Sequence, residues 1–480
     1  MNLKGAVSSA AQTMAMVCFA VIFVTTPFMR SMDSVYFIAD LYLVASGLTF
    51  FASLSSTRRA GIDYLITMFF FVFLAIPARV QINLGLLPWN AQIATTYLAL
   101  AYGLMAVSQF CYTIGMSWAQ RNWKRPLQDR QPLNVADTVF FSRWALGMAV
   151  FALMLAAVVG PGTLFQSRTG AEYGGFTQQF LLISRALSLL SIVILICMAR
   201  FAPTRRLRQK HILAAVLFLP FFLVINYIPS LPRFSLFGMM IALACPFIDY
   251  SRPLVKVPMT AVSLFLLLAV FPVVKEITKE GASLADLIAL IGAVPLRSVM
   301  LNVDFDGYMW IASTIEYLMD GAGAIRWGNN FLGVVLFFVP RALWHSKPLD
   351  TGSTVATGLG YWYHNVSSPL PAESLIAFGL LGPIVVLLIT GYVVSHIELA
   401  SHVPGPKSGR MPVLFLYAVA MGFILIIMRG ALNAVAPQFA TGFMAYGMMV
   451  YARRRRITWR LSKSQARQAV ARHYQMKDSA

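Results

Sequence analysis

The sequence predicts an all-α polytopic membrane protein, with about 12 transmembrane helices and one large outside segment of short helices. Three observations carry this. Hydrophobic residues make up 58% of the chain and charged residues only 12%, where soluble domains carry roughly 25% charged. Apolar runs of about 18 to 25 residues recur along the whole length, each long enough to cross about 30 Å of hydrocarbon. The runs are continuous rather than alternating, which excludes a β-barrel.

In order, the runs fall at 10–28, 34–54, 62–78, 91–115, 141–160, 179–199, 212–228, 234–249, 257–274, 372–394, 412–428 and 435–451. The net charge of +20 does not point to nucleic acid, because it is dispersed in short clusters between the runs, where the positive-inside rule places them. With both termini cytoplasmic, the inside loops hold Arg58 and Arg59, then Arg121 to Arg130, then Arg200 to Lys210, then Arg252 and Lys256, then Lys407 and Arg410. The tail from Arg453 joins them, and the opposite orientation would strand all of these outside. The chain so divides into nine spans (1–274), an outside segment (275–371), three spans (372–451) and a basic cytoplasmic tail (452–480). That tail reads as a weakly amphipathic helix on anionic lipid. Cys18, Cys111, Cys197 and Cys245 lie within apolar runs and read as small buried residues rather than disulfides or metal ligands. The first run continues without a small-residue cleavage site, so no cleavable signal peptide is expected.

The outside segment stays apolar, and acids outnumber bases in it. "SLADLIALIGAVPL" reads as a helix at the interface. "DGYMWIASTIEYLMDG" reads as an amphipathic helix, with Tyr308, Ile311, Ile315 and Leu318 at helical spacing. "FLGVVLFFV" is too short to span and suits a re-entrant or interfacial element. It stops at Pro340 and is followed by Arg341, Trp344, His345, Lys347 and Asp350.

Several cations break the inside rule. Arg79 ends the third run, Arg233 opens the eighth, Arg429 ends the eleventh, Arg185 lies within the sixth and Arg168 in the loop before it. Snorkelling to headgroups explains any one of these. As a set, with Arg341 and Lys347, they would have to be independent anchors on the leaflet where Arg is disfavoured. The alternative is a cationic pocket at the outer boundary, and guanidinium forks suit phosphate. A lipid diphosphate, with its tail in the bilayer, is the natural occupant. His364, Glu373, Asp304 and Asp306 are candidates to accept a proton from a sugar hydroxyl, though loop His and Asp are commonly just solvated. Trp344, Tyr361, Trp362 and Tyr363 form either a sugar-stacking platform or an interfacial aromatic belt. There is no P-loop, no GxGxxG after a strand and no HExxH. The DxD spacing at Asp304–Asp306 is too short a pattern to invoke a metal.

The order "NYIPSLPRFSLFGM", "DFDGYMWIASTIEYL", "GNNFLGVVLFFVPRALWHSKPLDTG", "PLPAESLIAFGLLGP" and "MRGALN" resembles the Wzy-type O-antigen and oligosaccharide repeat-unit polymerases, most clearly from about 220 to 435. The resemblance implies an inverting glycosyltransferase of GT-C-like architecture in the bacterial inner membrane, acting on its periplasmic face. It implies undecaprenyl-diphosphate-linked oligosaccharide as substrate, with no nucleotide sugar, cofactor or metal. A flippase, a chain-length regulator and membrane lipid would be its partners, and nucleic acid would not. Arg341, Arg233 and Arg429 would then stabilise the leaving diphosphate, with Lys347, Arg168, Arg185 and Arg79 around it. The base would come from Glu373, His364 or Asp306, and Trp344, Trp362 and Tyr363 would meet the sugars. Ala431 stands where an acid often follows the Arg-Gly of relatives, so that acid's role is not carried over. An O-antigen ligase and a flippase for the same lipid-linked sugar are the alternatives. A flippase would carry its charges through the midplane, often in related halves, whereas here they gather at one face.

Overall fold

The computed structural model describes residues 3–56, 61–123, 133–166, 176–250, 252–270, 295–341, 343–364, 366–401, 410–430, 432–433, 439–456 and 458–459. Among these residues the chain is helix, turn and coil, without a strand. Among the described residues nine helices are long and apolar enough to cross a bilayer, and the protein is a multi-pass helical membrane protein. They are α1 (Leu3–Thr25), α2 (Met32–Ser55), α3 (Gly61–Leu84), α4 (Thr95–Asn122), α5 (Val135–Val159), α6 (Phe176–Phe201) and α7 (Arg205–Ile225). After the shorter α8 (Arg233–Ala244) and α9 (Pro253–Phe265) and the short helices between 295 and 378 come α15 (Leu381–Ser401) and α16 (Met411–Arg429).

The helices among the described residues depart from the expected runs at three places. The run at 234–249 forms only α8, because Pro246 tightens its end into a 3-10 turn. The run at 257–274 forms α9, which begins at Pro253, contains Pro258 and widens into a π-turn at Leu266–Val270. The run at 372–394 is two helices. Leu370–Phe378 ends at Gly379, whose φ of 61° reverses the chain, and the spanning helix starts at Leu381. The last run is helical over 439–456, which we call α17. Within α3 a π-turn occupies Phe69–Ala75, just before Pro77. Proline lacks an N–H and its ring crowds the carbonyl four residues back, and widening the helix there relieves both.

α4 and α16 are mostly buried and central, whereas α1 and α7 bury only one side. An apolar helix exposed on most of its surface is facing lipid. α8 and α16 cross closely. A Cβ on Gly238 would lie 2.2 Å from the Gly422 carbonyl oxygen, and one on Gly422 would lie 2.3 Å from that of Gly238. Only hydrogen fits at both positions, so backbone meets backbone. The two helices run in opposite directions, and the crossing brings the start of α8, Arg233, beside the end of α16, Arg429.

The described part of the segment 275–371 folds onto that end of the bundle. It contributes α10 (Leu296–Met300), α11 (Gly307–Met319), α12 (Asn329–Val335) and α13 (Thr351–Gly358), followed by α14 (Leu370–Phe378). The Gln81 amide donates to the carbonyls of Met300 (2.8 Å) and Phe305 (2.9 Å), and the Tyr308 hydroxyl donates to Leu98 O at 2.9 Å. α11 was expected to be amphipathic. It is instead buried nearly all round from Gly307 to Ile315, with only its last turn reaching the surface. The cap has a small core of its own around Met309, Trp310, Val355 and Ile376. The stretch 283–294, expected at the interface, and the tail beyond Trp459 lie outside the described residues.

At the opposite end, charges complement helix termini. The buried Lys256 ammonium donates to Ser53 O (2.8 Å) and Ser56 O (2.9 Å), where α2 ends. Asp63 stands in the first turn of α3, and its backbone N–H donates to Glu398 Oε1 at 2.9 Å. Cations favour helix C-termini and anions N-termini, and an ionisable group inside a span needs such a partner.

Candidate functional site

The capped end is organised around Arg429. Its Nε donates to Asp304 O (3.0 Å) and its Nη2 to Val303 O (2.9 Å). Nη2 also lies 3.7 Å from the Asp304 carboxylate and 3.8 Å from that of Asp306. The guanidinium carbon stands 4.6 Å from the centroid of the Phe234 ring, a cation–π contact from the first turn of α8. The backbone of Arg233 is therefore beside Arg429. Nη1 of Arg429 makes no hydrogen bond among the described residues.

Asp306 is buried and receives three neutral donors: the Ser367 hydroxyl at 2.6 Å, the Trp310 indole at 3.0 Å and the Trp89 indole at 3.3 Å. Burial pushes its carboxyl above the ordinary range, while Arg429 and these donors pull it back. Trp89 is held with φ at 61°, a costly conformation for a bulky residue. It belongs to an aromatic stack. Its ring lies 4.2 Å from Tyr363, and Tyr363 lies 5.2 Å from Tyr361, both nearly parallel. Trp310 stands edge-on to Tyr361 and Tyr363. Trp362 stands edge-on to Trp89 and Tyr363 and is 80% exposed.

Glu373 is a second buried acid. Its Oε2 accepts from Asn330 (2.9 Å) and from the Thr351 hydroxyl, and its Oε1 accepts from the backbone N–H of Leu432 at 3.2 Å. Burial raises its carboxyl, offset by these three bonds. Two acids of the cap therefore grip the end of α16, one at Arg429 and one at Leu432.

Arg341 and Lys347 brace their own loop. Arg341 donates to Lys347 O (2.6 Å) and Pro348 O (3.1 Å), and Lys347 Nζ donates to Phe337 O (2.7 Å) and Val339 O (2.8 Å). Arg341 remains exposed. Burial, and then Arg341, lower the Lys347 ammonium. The loop hangs over an apolar groove. Phe337 and Phe338 close one side of a cavity of about 1100 Å³, with Trp144 and Phe151 of α5, Leu187 of α6 and Met448 of α17 among its walls. Pro348 also lies under Gly333, near Asn433, which ties the loop to the segment following Arg429.

The other expected residues are elsewhere or differently engaged. Arg79 pairs with Asp40 and lies over the Tyr36 ring. That is nearly the opposite face of α3 from Gln81. Arg185 is buried and donates to Ser230 Oγ (2.7 Å) and Ile225 O (3.4 Å), where α7 ends. The Trp344 indole donates to Ser346 at 3.0 Å. His364 is exposed, with Nδ1 3.3 Å from the Thr357 hydroxyl. Arg168 and the side chain of Arg233 lie outside the described residues. Among the described residues no three His, Cys, Asp or Glu side chains are grouped to hold a metal.

Trp89, Trp310, Asn330 and Thr351 were not anticipated from the sequence. Trp89 and Asn330 sit in short polar interruptions with no motif, and Trp310 reads as one more apolar residue of a helix. Asn–Glu and Trp–Asp pairs separated by 43 and 217 residues leave no trace in local spacing. Compared with protein-family models, with curated proteins and with solved structures, the chain matches none.

Proposed function

We propose that the protein is a membrane glycosyltransferase that joins lipid-diphosphate-linked oligosaccharide repeat units, an oligosaccharide polymerase of the Wzy type. The observation that carries this reading is one loop with two chemistries. Phe337 and Phe338 line a large apolar groove, and Arg341 and Lys347 stand a few residues beyond them. A lipid with a long apolar tail and a diphosphate head matches that order: tail in the groove, phosphates at the cations. The aromatic cluster that follows α13, with Trp362 exposed at its edge, would give sugar rings beyond the diphosphate a flat surface. In the transfer, the bond from the donor sugar to the diphosphate breaks and its electron pair leaves with the phosphate oxygen. Fixed cations aimed at that developing charge are commonly the largest catalytic term. An acceptor hydroxyl forms the new bond and gives up its proton to a base. The undecaprenyl tail, the periplasmic orientation and the cytoplasmic termini belong to the same proposal and rest on the resemblance and on the placement of basic residues.

The test uses the purified chain in detergent, with no sealed compartment. Given lipid-linked repeat unit extracted from cells lacking this protein, it should form a ladder of longer chains and release lipid diphosphate, without nucleotide sugar or ATP. Transfer of a single unit to a lipid A core acceptor would make it a ligase. Movement of the substrate across liposome membranes without lengthening would make it a transporter.

A further inference from the structure

Resting on that reading, the geometry points to Glu316 as the group that receives the acceptor hydroxyl and, in transfer, takes its proton. The acids singled out from the sequence are occupied. Asp306 and Glu373 are each 2% exposed and surrounded by donors, so neither can meet a sugar without losing its partners. Glu316 is different. It lies in the last turns of α11, half-buried, and its Oε2 is buried yet accepts no hydrogen bond among the described residues. A buried acceptor left unpaired costs about 1–3 kcal/mol, more when charged, so a native one calls for an explanation such as a ligand.

A second orphan lies across the Tyr361 ring, on the side of Asp306. The Tyr363 hydroxyl is also buried without a partner, in a residue only 7% exposed. Tyr361 connects the two. Its ring stacks on Tyr363 at 5.2 Å, and its hydroxyl lies 3.3 Å from Ser313 Oγ, one turn before Glu316 on the same face of α11. An orphan acceptor and an orphan donor beside parallel aromatic rings are complementary to a saccharide. Its hydroxyls both donate and accept, and its C–H face lies on a ring. Burial of Glu316 and the nearby Asp320 both raise its carboxyl, which suits a group that must hold a proton during the reaction. The step balances: the acceptor oxygen bonds the donor's anomeric carbon, its proton moves to Glu316 Oε2, and the anomeric bond's electrons leave with the diphosphate.

The experiment compares wild type with Glu316→Gln, Glu316→Asp and Tyr363→Phe in detergent. One readout is tryptophan fluorescence on adding the oligosaccharide released by mild acid from the extracted lipid. The other is ladder formation from the intact lipid. Glu316→Gln should bind the free oligosaccharide within about threefold of wild type and lose transfer by about 10²- to 10⁴-fold, the range for a general base. Glu316→Asp should recover part of that loss, and Tyr363→Phe should weaken binding. Near-normal transfer by Glu316→Gln overturns the assignment. So does oligosaccharide binding unchanged in every variant. Wild type that binds the oligosaccharide, with affinity dependent on Tyr363, but never lengthens the lipid overturns the polymerase reading and the proton-transfer role together, leaving only the saccharide site.

Discussion

The carboxylate of Asp306 lies 3.8 Å from the guanidinium of Arg429, with side-chain exposures of 2% and 17%. This pair joins the start of the cap helix α11 to the end of the spanning helix α16, residues far apart in the chain. Breaking one side of a buried pair strands the other, at a cost of about 3–5 kcal/mol. Arg429→Ala should lower thermal stability in detergent by that order. Asp306→Asn should cost less, because the indole and hydroxyl donors remain. The double variant should be less destabilised than the two single losses added together. Additive losses would mean that the two groups are not coupled.

Glu373 predicts a pH dependence with a definite sign. Burial raises its carboxyl above the ordinary 4.5, so the fold favours the protonated form. Its stabilising contribution is complete below about pH 4.5 and is lost as pH rises through the folded value. Glu373→Gln mimics the protonated group, and the unpaired Asn330 Oδ1 can turn to accept from its amide. The melting temperature of wild type should therefore fall relative to Glu373→Gln between pH 5 and 8. Glu373→Ala should be worse than both at every pH, because three donors lose their acceptor.

Gly422→Leu should separate α8 from α16. A side chain there meets the backbone of Gly238 rather than a flexible chain end. The displacement would be felt at the cap end, where Phe234 and Arg429 touch. Lipid lengthening should be lost even in protein that still inserts and purifies as a monodisperse species. Retention of full activity would show that the position of Arg429 is not set by this crossing.

Arg341→Lys tests whether charge alone is enough. The guanidinium uses two nitrogens on the carbonyls of Lys347 and Pro348, a fork that an ammonium cannot copy. Because Arg341 is exposed, stability should change by under about 1 kcal/mol. Transfer should fall by about 10²-fold or more, the cost of losing one electrostatic donor at such a site. An unchanged rate would move the diphosphate away from this loop.

The sequence by itself determined the class of this protein, because hydrocarbon demands long continuous apolar runs and tolerates few charges, and both are properties of composition. It also singled out Arg429 as a cation against the inside rule, Glu373 and Asp306 as candidate proton acceptors, and Tyr363 as one of a group of candidate sugar-stacking rings. Tertiary structure decided where helices begin and end: one glycine at positive φ splits 372–394, and Pro246 tightens the end of the run at 234–249. It also decided what each charge faces. Arg79 and Arg429 both read as cations at the outer end of a span, yet one meets Asp40 and the other the turn at 303–306. Glu316 looked like one more polar residue on a helix, and only its unpaired oxygen near Tyr361 distinguishes it. Periodicity reports which face of a helix is apolar. Which partner a buried polar group finds depends on packing between segments hundreds of residues apart, and no local pattern encodes that.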